Sequence, residues 1–206
     1  MSKVIWVFDI DSTLADNGHR SALLQQYCTA CLFYLPSNGP LVHRSITECP
    51  NCGGTSLTKT QSSWDEFLDP IQVSLDRPIA KGVRVLNRLR ELGGEIHFIT
   101  GRNEPDLGEV TKQWLKDHCG WNPNKEKLIM RQEEDRGFTA SVSKERSLER
   151  LKKEVDIGGG ALYIFFEDDP HVFNLYNKHG IVIRCPEGWD HIMPDGAWGL
   201  EPSRAR

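Results

Sequence analysis

The chain has 206 residues, with 25 Lys plus Arg against 29 Asp plus Glu and a net charge of −4. This mild acidity argues against bulk, sequence-independent adhesion to nucleic acid, which needs a cationic surplus, and leaves room only for a local basic groove. With 38 % hydrophobic and 26 % charged residues the composition is that of an ordinary globular protein. Its apolar runs are too short to span a bilayer and no leader opens it, so a soluble cytoplasmic protein is expected.

In chain order, Val4 to Phe8 is a continuous apolar run that predicts a parallel strand covered on both faces. No period is sustained from Asn17 to Ser63, so residues 17–63 are read as an insertion into a core made of residues 1–16 and 64–206. Ile79, Val83, Leu86, Leu89 and Leu92 mark one face of a helix that Gly93-Gly94 stops. A second buried strand is predicted over 95–100, and Leu107, Val110, Trp114 and Leu115 mark a second amphipathic helix. The pattern continues with a short strand over 127–131, a helix over 143–155, a strand over 161–166, a helix over 171–179 and a last strand over 181–184. Such alternation predicts an α/β fold with an open, mostly parallel sheet and helices on both faces.

Where the first strand ends, Asp9 and Asp11 stand two residues apart, in the position where open α/β sheets bind ligands. Asp9 would carry an oxygen nucleophile ionised at neutral pH, and Asp11 is placed to exchange a proton with a leaving group or a water. An Asp-rich turn that merely ends the strand is the alternative. Thr100-Gly101-Arg102 closes the next strong strand with hydroxyl, backbone and guanidinium donors suited to a phosphoryl group. Lys144 near a helix start is disfavoured by the dipole and asks for another reason to be there. Glu167-Asp168-Asp169 closes a third strand with carboxylates that repel unless a cation binds, and hard oxygen ligands select Mg²⁺. A helix N-cap is the plainer reading of those three acids.

Asp9-x-Asp11-x-Thr13, Thr100-Gly101-Arg102, Lys144 and Glu167-Asp168 together resemble the four motifs of the haloacid dehalogenase superfamily of phosphohydrolases. The resemblance implies a Rossmann-like core, Mg²⁺ dependence and a phosphoaspartyl intermediate. By it Asp9 is the nucleophile, Asp11 the general acid/base, Thr100 a phosphoryl ligand and Lys144 the group that neutralises charge on Asp9 and phosphate. Mg²⁺ would be held by Asp9, the Asp11 carbonyl and Asp168, with Glu167 behind them. Ala15-Asp16-x-x-His19-Arg20, Trp64-x-x-Phe67, Asp76-x-Pro78-Ile79 and Leu128-Ile-Met-Arg131 narrow the likeness to the 3′-phosphatase domain of phage-type polynucleotide kinases. That likeness places His19, Arg20, Gly101 and Arg102 at the substrate and admits a phage-encoded origin. It also makes Glu167-Asp168, not Asp168-Asp169, the acidic pair. The sequence lacks the phosphate loop of a kinase half.

Cys28-x-x-Cys31 and Cys49-x-x-Cys52-Gly-Gly have the spacing of a four-thiolate structural zinc site, here a small zinc ribbon in the position of a cap. Two disulfides or a redox pair are the alternatives, and His43 is a substitute ligand. Cys119 and Cys185 read as small buried residues. The expected activity is therefore Mg²⁺-dependent removal of a terminal 3′ phosphate from a polynucleotide, with free (deoxy)nucleoside monophosphates as the alternative substrate. From another class, the chain could be a zinc-ribbon nucleic-acid-binding or docking module on an inert core.

Overall fold

The computed structural model describes residues 3–21, 23–24, 26–31, 34–35, 48–49, 51–59 and 61–185. His43, much of the predicted insertion and the end of the predicted core beyond residue 185 lie outside the described residues.

Alternate residues of the first apolar run face opposite ways. The run forms β1 (Val4–Phe8), followed by β2 (Ala15–Asp16), α1 (Gly18–Ser21), β3 (Gln26–Cys28), β4 (Tyr34–Leu35) and β5 (Leu57–Lys59). Next come α2 (Gln61–Phe67), α3 (Pro70–Ser74), β6 (Arg77–Pro78), α4 (Ala80–Glu91), β7 (Glu95–Asn103) and α5 (Glu104–Cys119). The chain continues through β8 (Leu128–Arg131), α6 (Ala140–Val155), β9 (Leu162–Glu167), α7 (Pro170–Tyr176) and β10 (Gly180–Arg184).

The main sheet has the order β10-β9-β1-β7-β8 and is parallel throughout. Ile5 and Val7 face the layer where Leu148 and Leu151 of α6 and Val172 and Tyr176 of α7 are buried. Phe8 faces the other layer, with Val85 and Leu86 of α4 and Trp114 and Leu115 of α5. Helices therefore cover both faces, and burial of this apolar surface is the main force holding the layers together. Within the second layer Phe8 stacks on Phe166 with centroids 4.2 Å apart, and across the sheet Phe165 stacks on Tyr176 at 4.1 Å. Cys119 and Cys185 are buried here as small core residues.

Two small sheets lie outside this frame. β2 pairs antiparallel with β6, and β4-β3-β5 forms a three-stranded antiparallel sheet within residues 17–63, where no strand period is legible in the sequence. Element ends also differ from the sequence expectations. The α6 helix starts at Ala140 rather than at 143, because the Thr139 hydroxyl caps it by accepting the Val142 N–H. The β7 strand runs on to Asn103 rather than stopping at Thr100, with a break in register against β8 between Ile99 and Asn103. The α7 helix ends at Tyr176, before the predicted 179.

Gly180 shows how closely the sheet edge is built. A Cβ there would lie 2.1 Å from the Tyr163 carbonyl oxygen on β9, where no side chain fits. Gly180→Ala should cost about 2–3 kcal/mol by forcing β10 away from β9. Urea unfolding followed by circular dichroism measures it, and an unchanged midpoint would contradict the close approach.

Candidate active site

Sheet topology brings the sequence motifs to one end of the strands. The β1 ladder runs one residue past the strand, with the Asp9 N–H donating to the Phe166 carbonyl at 2.9 Å. The chain then turns sharply. Leu14 and Ala15 N–H groups both converge on the Ile10 carbonyl at 2.8 Å, and Ser12 adopts φ 59° in the left-handed region. This tight turn places Asp9 and Asp11 on the crevice side of the sheet, as expected for a parallel α/β fold.

Asp9 is buried, and Lys144 from the second turn of α6 lies 3.0 Å from its Oδ1. Burial pushes the Asp9 pKa up, and the Lys144 charge works against that shift. The same ammonium donates to Glu167 Oε2 at 2.6 Å. Burial would lower the Lys144 pKa, but Asp9 and Glu167 together raise it well above the usual value, so the lysine is charged. This answers the sequence puzzle of a lysine near a helix N-terminus: two buried carboxylates across the sheet outweigh the dipole.

The three acids after β9 divide into different roles. Glu167 uses Oε2 on Lys144 and Oε1 on the Asp169 N–H at 3.1 Å. Asp169 caps α7, accepting the His171 N–H at 2.9 Å, with Pro170 at the first helical position. Asp168 is half-buried, and oxygens of Asp9, Glu167 and Asp168 all lie within 4.8 Å of one another. Burial, then repulsion from Asp9 and Glu167, brings Asp168 up to about 9. For Glu167, burial outweighs Lys144 and raises the pKa to about 7. Crowded carboxylates with raised pKa values suit a hard divalent cation, which would restore their ionised form.

Asp11 sits in a different field. Arg102 donates to its Oδ1 at 2.7 Å through a terminal nitrogen and to its Oδ2 at 3.1 Å through Nε, and Arg20 donates to Oδ1 as well. Burial alone would raise the Asp11 pKa. The charges of Arg102 and Arg20 outweigh that and bring it to about 2. Both guanidiniums are sealed from solvent and shared with Asp76, whose oxygens also accept from them. His19 hydrogen-bonds the Gln72 carbonyl at 3.0 Å and lies 3.9 Å from Asp76. The residues that the sequence assigns to the substrate as Arg20 and Arg102 thus serve Asp11 and Asp76 in this geometry. Arg20 does so from within the predicted insertion.

Thr100 is 1 % exposed and its Oγ1 accepts the Arg102 N–H at 3.3 Å, inside the irregular end of β7. Gly101 is exposed beside it and opens onto a cleft of about 770 Å³. Asp11 and Arg102 line the cleft, with Trp64 and Phe67 of α2 and the Arg131 and Arg136 side chains. Asp76 is the residue whose role the sequence does not disclose. It stands in the quoted Asp76-x-Pro78-Ile79 motif, and that motif was the one available signal.

The four predicted zinc ligands meet. Cys28 and Cys52 sulfurs are 3.6 Å apart, and those of Cys31 and Cys49 are 3.7 Å apart. Four sulfurs at about 2.3 Å from one ion form a tetrahedron with edges of about 3.8 Å, whereas a disulfide bond is about 2.05 Å long. None of the six cysteines is in a disulfide. The Cys49 turn closes through the Gly53 N–H donating to the Cys49 carbonyl at 2.7 Å, with Gly53 at φ 69°. The donor set and spacing fit zinc.

The sequence profile of the HAD superfamily, subfamily IIIB (acid phosphatase), matches residues 50–166, more than half of the chain. The chain belongs to this family of haloacid dehalogenase-like proteins. The match takes in Thr100 to Arg102 and Lys144; Asp9, Asp11 and Asp168 lie outside it. Among solved structures, Protein Tyrosine Kinase A of Mycobacterium tuberculosis is similar with a TM-score of 0.56 and 16% identity, over 89% of this chain and 84% of that one. A predicted phosphatase from Clostridium acetobutylicum has a TM-score of 0.53 and 11% identity, over 93% and 99% of the two chains. A chain of a Pnkp1/Rnl/Hen1 complex has a TM-score of 0.51 and 15% identity, over 89% of this chain and 46% of that chain. This chain thus spans less than half the length of that relative. At these identities the likenesses are of fold. No curated protein sequence matches the chain. Among the described residues no helix is long and apolar enough to cross a membrane.

Proposed function

We propose that this protein is an Mg²⁺-dependent phosphomonoesterase that forms an aspartyl phosphate on Asp9 and removes a terminal 3′ phosphate from a polynucleotide. Asp9 attacks phosphorus with one carboxylate oxygen as the bond to the leaving oxygen breaks. Lys144, 3.0 Å from Asp9, offsets the charge gathered there. Thr100 and the Gly101 backbone are offered as phosphoryl ligands. Asp9 and Asp168, with the Asp11 carbonyl, would hold Mg²⁺, and Glu167 would serve as counterion to Lys144. Bound Mg²⁺ supplies electrostatic stabilisation of the transferring phosphoryl group.

Arg102 and Arg20 bring the Asp11 pKa to about 2, so Asp11 is ionised and a weak base, and its place in front of the cleft is what offers it to the proton of the water that hydrolyses the aspartyl phosphate. For the first half-reaction it needs a proton that arrives with the substrate, and a phosphate monoester is half protonated at about pH 6. That proton is handed on by Asp11 to the leaving oxygen; the proton Asp11 later takes from water is released to solvent, so atoms and charge balance over the two steps.

The observation that carries the substrate class is the cleft in front of Asp11. It has aromatic Trp64, and Phe67 under the Arg20 guanidinium, for a base or sugar. Arg136 offers a cation for a further phosphate, and Arg131, which donates to the Asp135 and Phe138 carbonyls, adds positive charge to the wall. One feature favours a free mononucleotide instead: Asp65 and Asp106 line the same cleft, and Arg136 lies 3.3 Å from Asp106, which offsets the positive charge. A panel of 3′-phosphorylated oligonucleotides, 5′-phosphorylated oligonucleotides and free mononucleotides separates the readings. The expected result is kcat/KM at least about tenfold higher for the 3′-phosphorylated oligonucleotide, roughly 1.4 kcal/mol of preference. Equal or higher values for mononucleotides would transfer the assignment to the second reading.

Four thiolates make the cysteine site a closed one, so zinc there is assigned to folding residues 17–63 rather than to catalysis. We assign this segment to a cap beside the cleft.

A further inference from the structure

We infer that Asp76 is a positioning residue for Asp11: by gripping Arg20 and Arg102 together, it sets the direction in which Asp11 faces the leaving-group oxygen. This rests on the phosphatase reading above.

Arg20 forms a two-pronged contact with Asp76, Nε to Oδ1 at 2.8 Å and a terminal nitrogen to Oδ2 at 2.9 Å. That same terminal nitrogen also donates to Asp11. Arg102 repeats the arrangement, with one nitrogen 2.6 Å from Asp76 Oδ2 and 2.7 Å from Asp11 Oδ1. Each guanidinium thus bridges the two carboxylates. Two adjacent cations sharing only Asp11 would repel each other and, being long and rotamer-rich, would spread. Asp76 supplies the second anion that holds them together.

Asp76 is itself fixed from two directions. Its carbonyl accepts the Trp114 Nε1–H of α5 at 2.7 Å, and its N–H donates to the Val73 carbonyl at the end of α3. The next two residues form β6, which pairs with β2 through Asp16↔Arg77 and Ala15↔Pro78. β2 directly follows the turn that carries Asp11. The contacts close a ring, from Asp11 along its turn to β2, across to β6 and Asp76, and back through the arginines. Asp76 is 2 % exposed, so it acts through the arginines rather than on substrate.

A residue that only holds the fold together would affect all substrates alike, whereas one that aims Asp11 affects those whose leaving group needs a proton. The measured quantity is kcat/KM, which reports transfer to Asp9, for p-nitrophenyl phosphate and for a nucleoside 3′-phosphate. The first leaving group departs as a stabilised anion, and the second is an alkoxide that must be protonated. Asp76→Asn should lower kcat/KM for the nucleoside 3′-phosphate by about 30-fold or more, a part of the roughly 10²- to 10⁴-fold that a general acid contributes, and for p-nitrophenyl phosphate by less than about threefold. Asp11→Asn should show the same selectivity in stronger form. Equal losses on both esters, or none on either, would overturn the positioning role. If Asp76→Asn does not fold, Asp76→Glu keeps the charge but displaces the arginines, and is read by the same two criteria. A wild-type protein that hydrolyses neither ester with Mg²⁺ defeats the phosphatase reading, and the role of Asp76 falls with it.

Discussion

Asp9→Asn should reduce Mg²⁺-dependent turnover of p-nitrophenyl phosphate by about 10⁴-fold or more while leaving the protein folded. The amide offers no anionic oxygen to phosphorus, so the covalent route is closed rather than slowed. The fold should survive because Lys144 keeps Glu167 at 2.6 Å, so the substitution leaves no buried ammonium without a partner. Burial works against ionised Asp9, so removing its charge does not sacrifice a favourable solvation. Acid-quenched labelling with a ³²P substrate should trap phosphate on the wild-type chain and none on Asp9→Asn. Retention of turnover within tenfold of wild type would exclude Asp9 as nucleophile. The inert-core reading predicts something else again, no turnover from either protein.

The second large effect concerns the cysteine cluster. Cys49→Ser should take the zinc content from one ion per chain to near none, and residues 17–63 should become open to limited proteolysis. Cys49 is buried, and its sulfur lies 3.7 Å from that of Cys31, so hydroxyl substitution removes a soft ligand at the centre of the site. Structural zinc binding in small modules is worth roughly 10 kcal/mol or more, far beyond what three short strands in the same segment contribute. Atomic absorption on the purified protein and protease mapping read the two outcomes. Metal-free wild-type protein with a protease-resistant segment would refute the zinc assignment. Thermal unfolding of the parallel core, followed separately by its aromatic circular dichroism, should shift less than the cap does. The main sheet takes no strand from residues 17–63, and the buried Arg20, which joins that segment to Asp11 and Asp76, precedes the cysteine turns.

The parallel sheet was legible because its signals are local. Val4 to Phe8 reads as a strand buried on both faces, and the structure places it between β7 and β9 with side chains in both layers. The amphipathic period of 79–92 corresponds to α4, and the stop at Gly93-Gly94 follows it directly. Helix and strand ends were less legible, since Thr139 as a cap of α6 and the continuation of β7 depend on geometry that composition does not encode. The short strands of residues 17–63 escaped because segments of two or three residues carry no period. Of the motif residues, Lys144 and Glu167 are legible by type and position, but not the 2.6 Å contact between them.

By itself the sequence determined which chemical groups are available and how they are spaced: two carboxylates after a buried strand, a Thr-Gly-Arg, one lysine, an acidic pair and four paired thiols. Spacing along a strand or turn is a covalent matter, so it survives without a structure. The tertiary structure decided which charges face which. It split three consecutive acids into a lysine counterion, a half-buried member of the carboxylate cluster and a helix cap. It also directed Arg20 and Arg102 onto Asp11 and joined them through Asp76, 56 residues after Arg20. Pairings of that kind arise from long-range packing, where burial leaves each charge to find its partner across the fold. No local pattern in the chain records them.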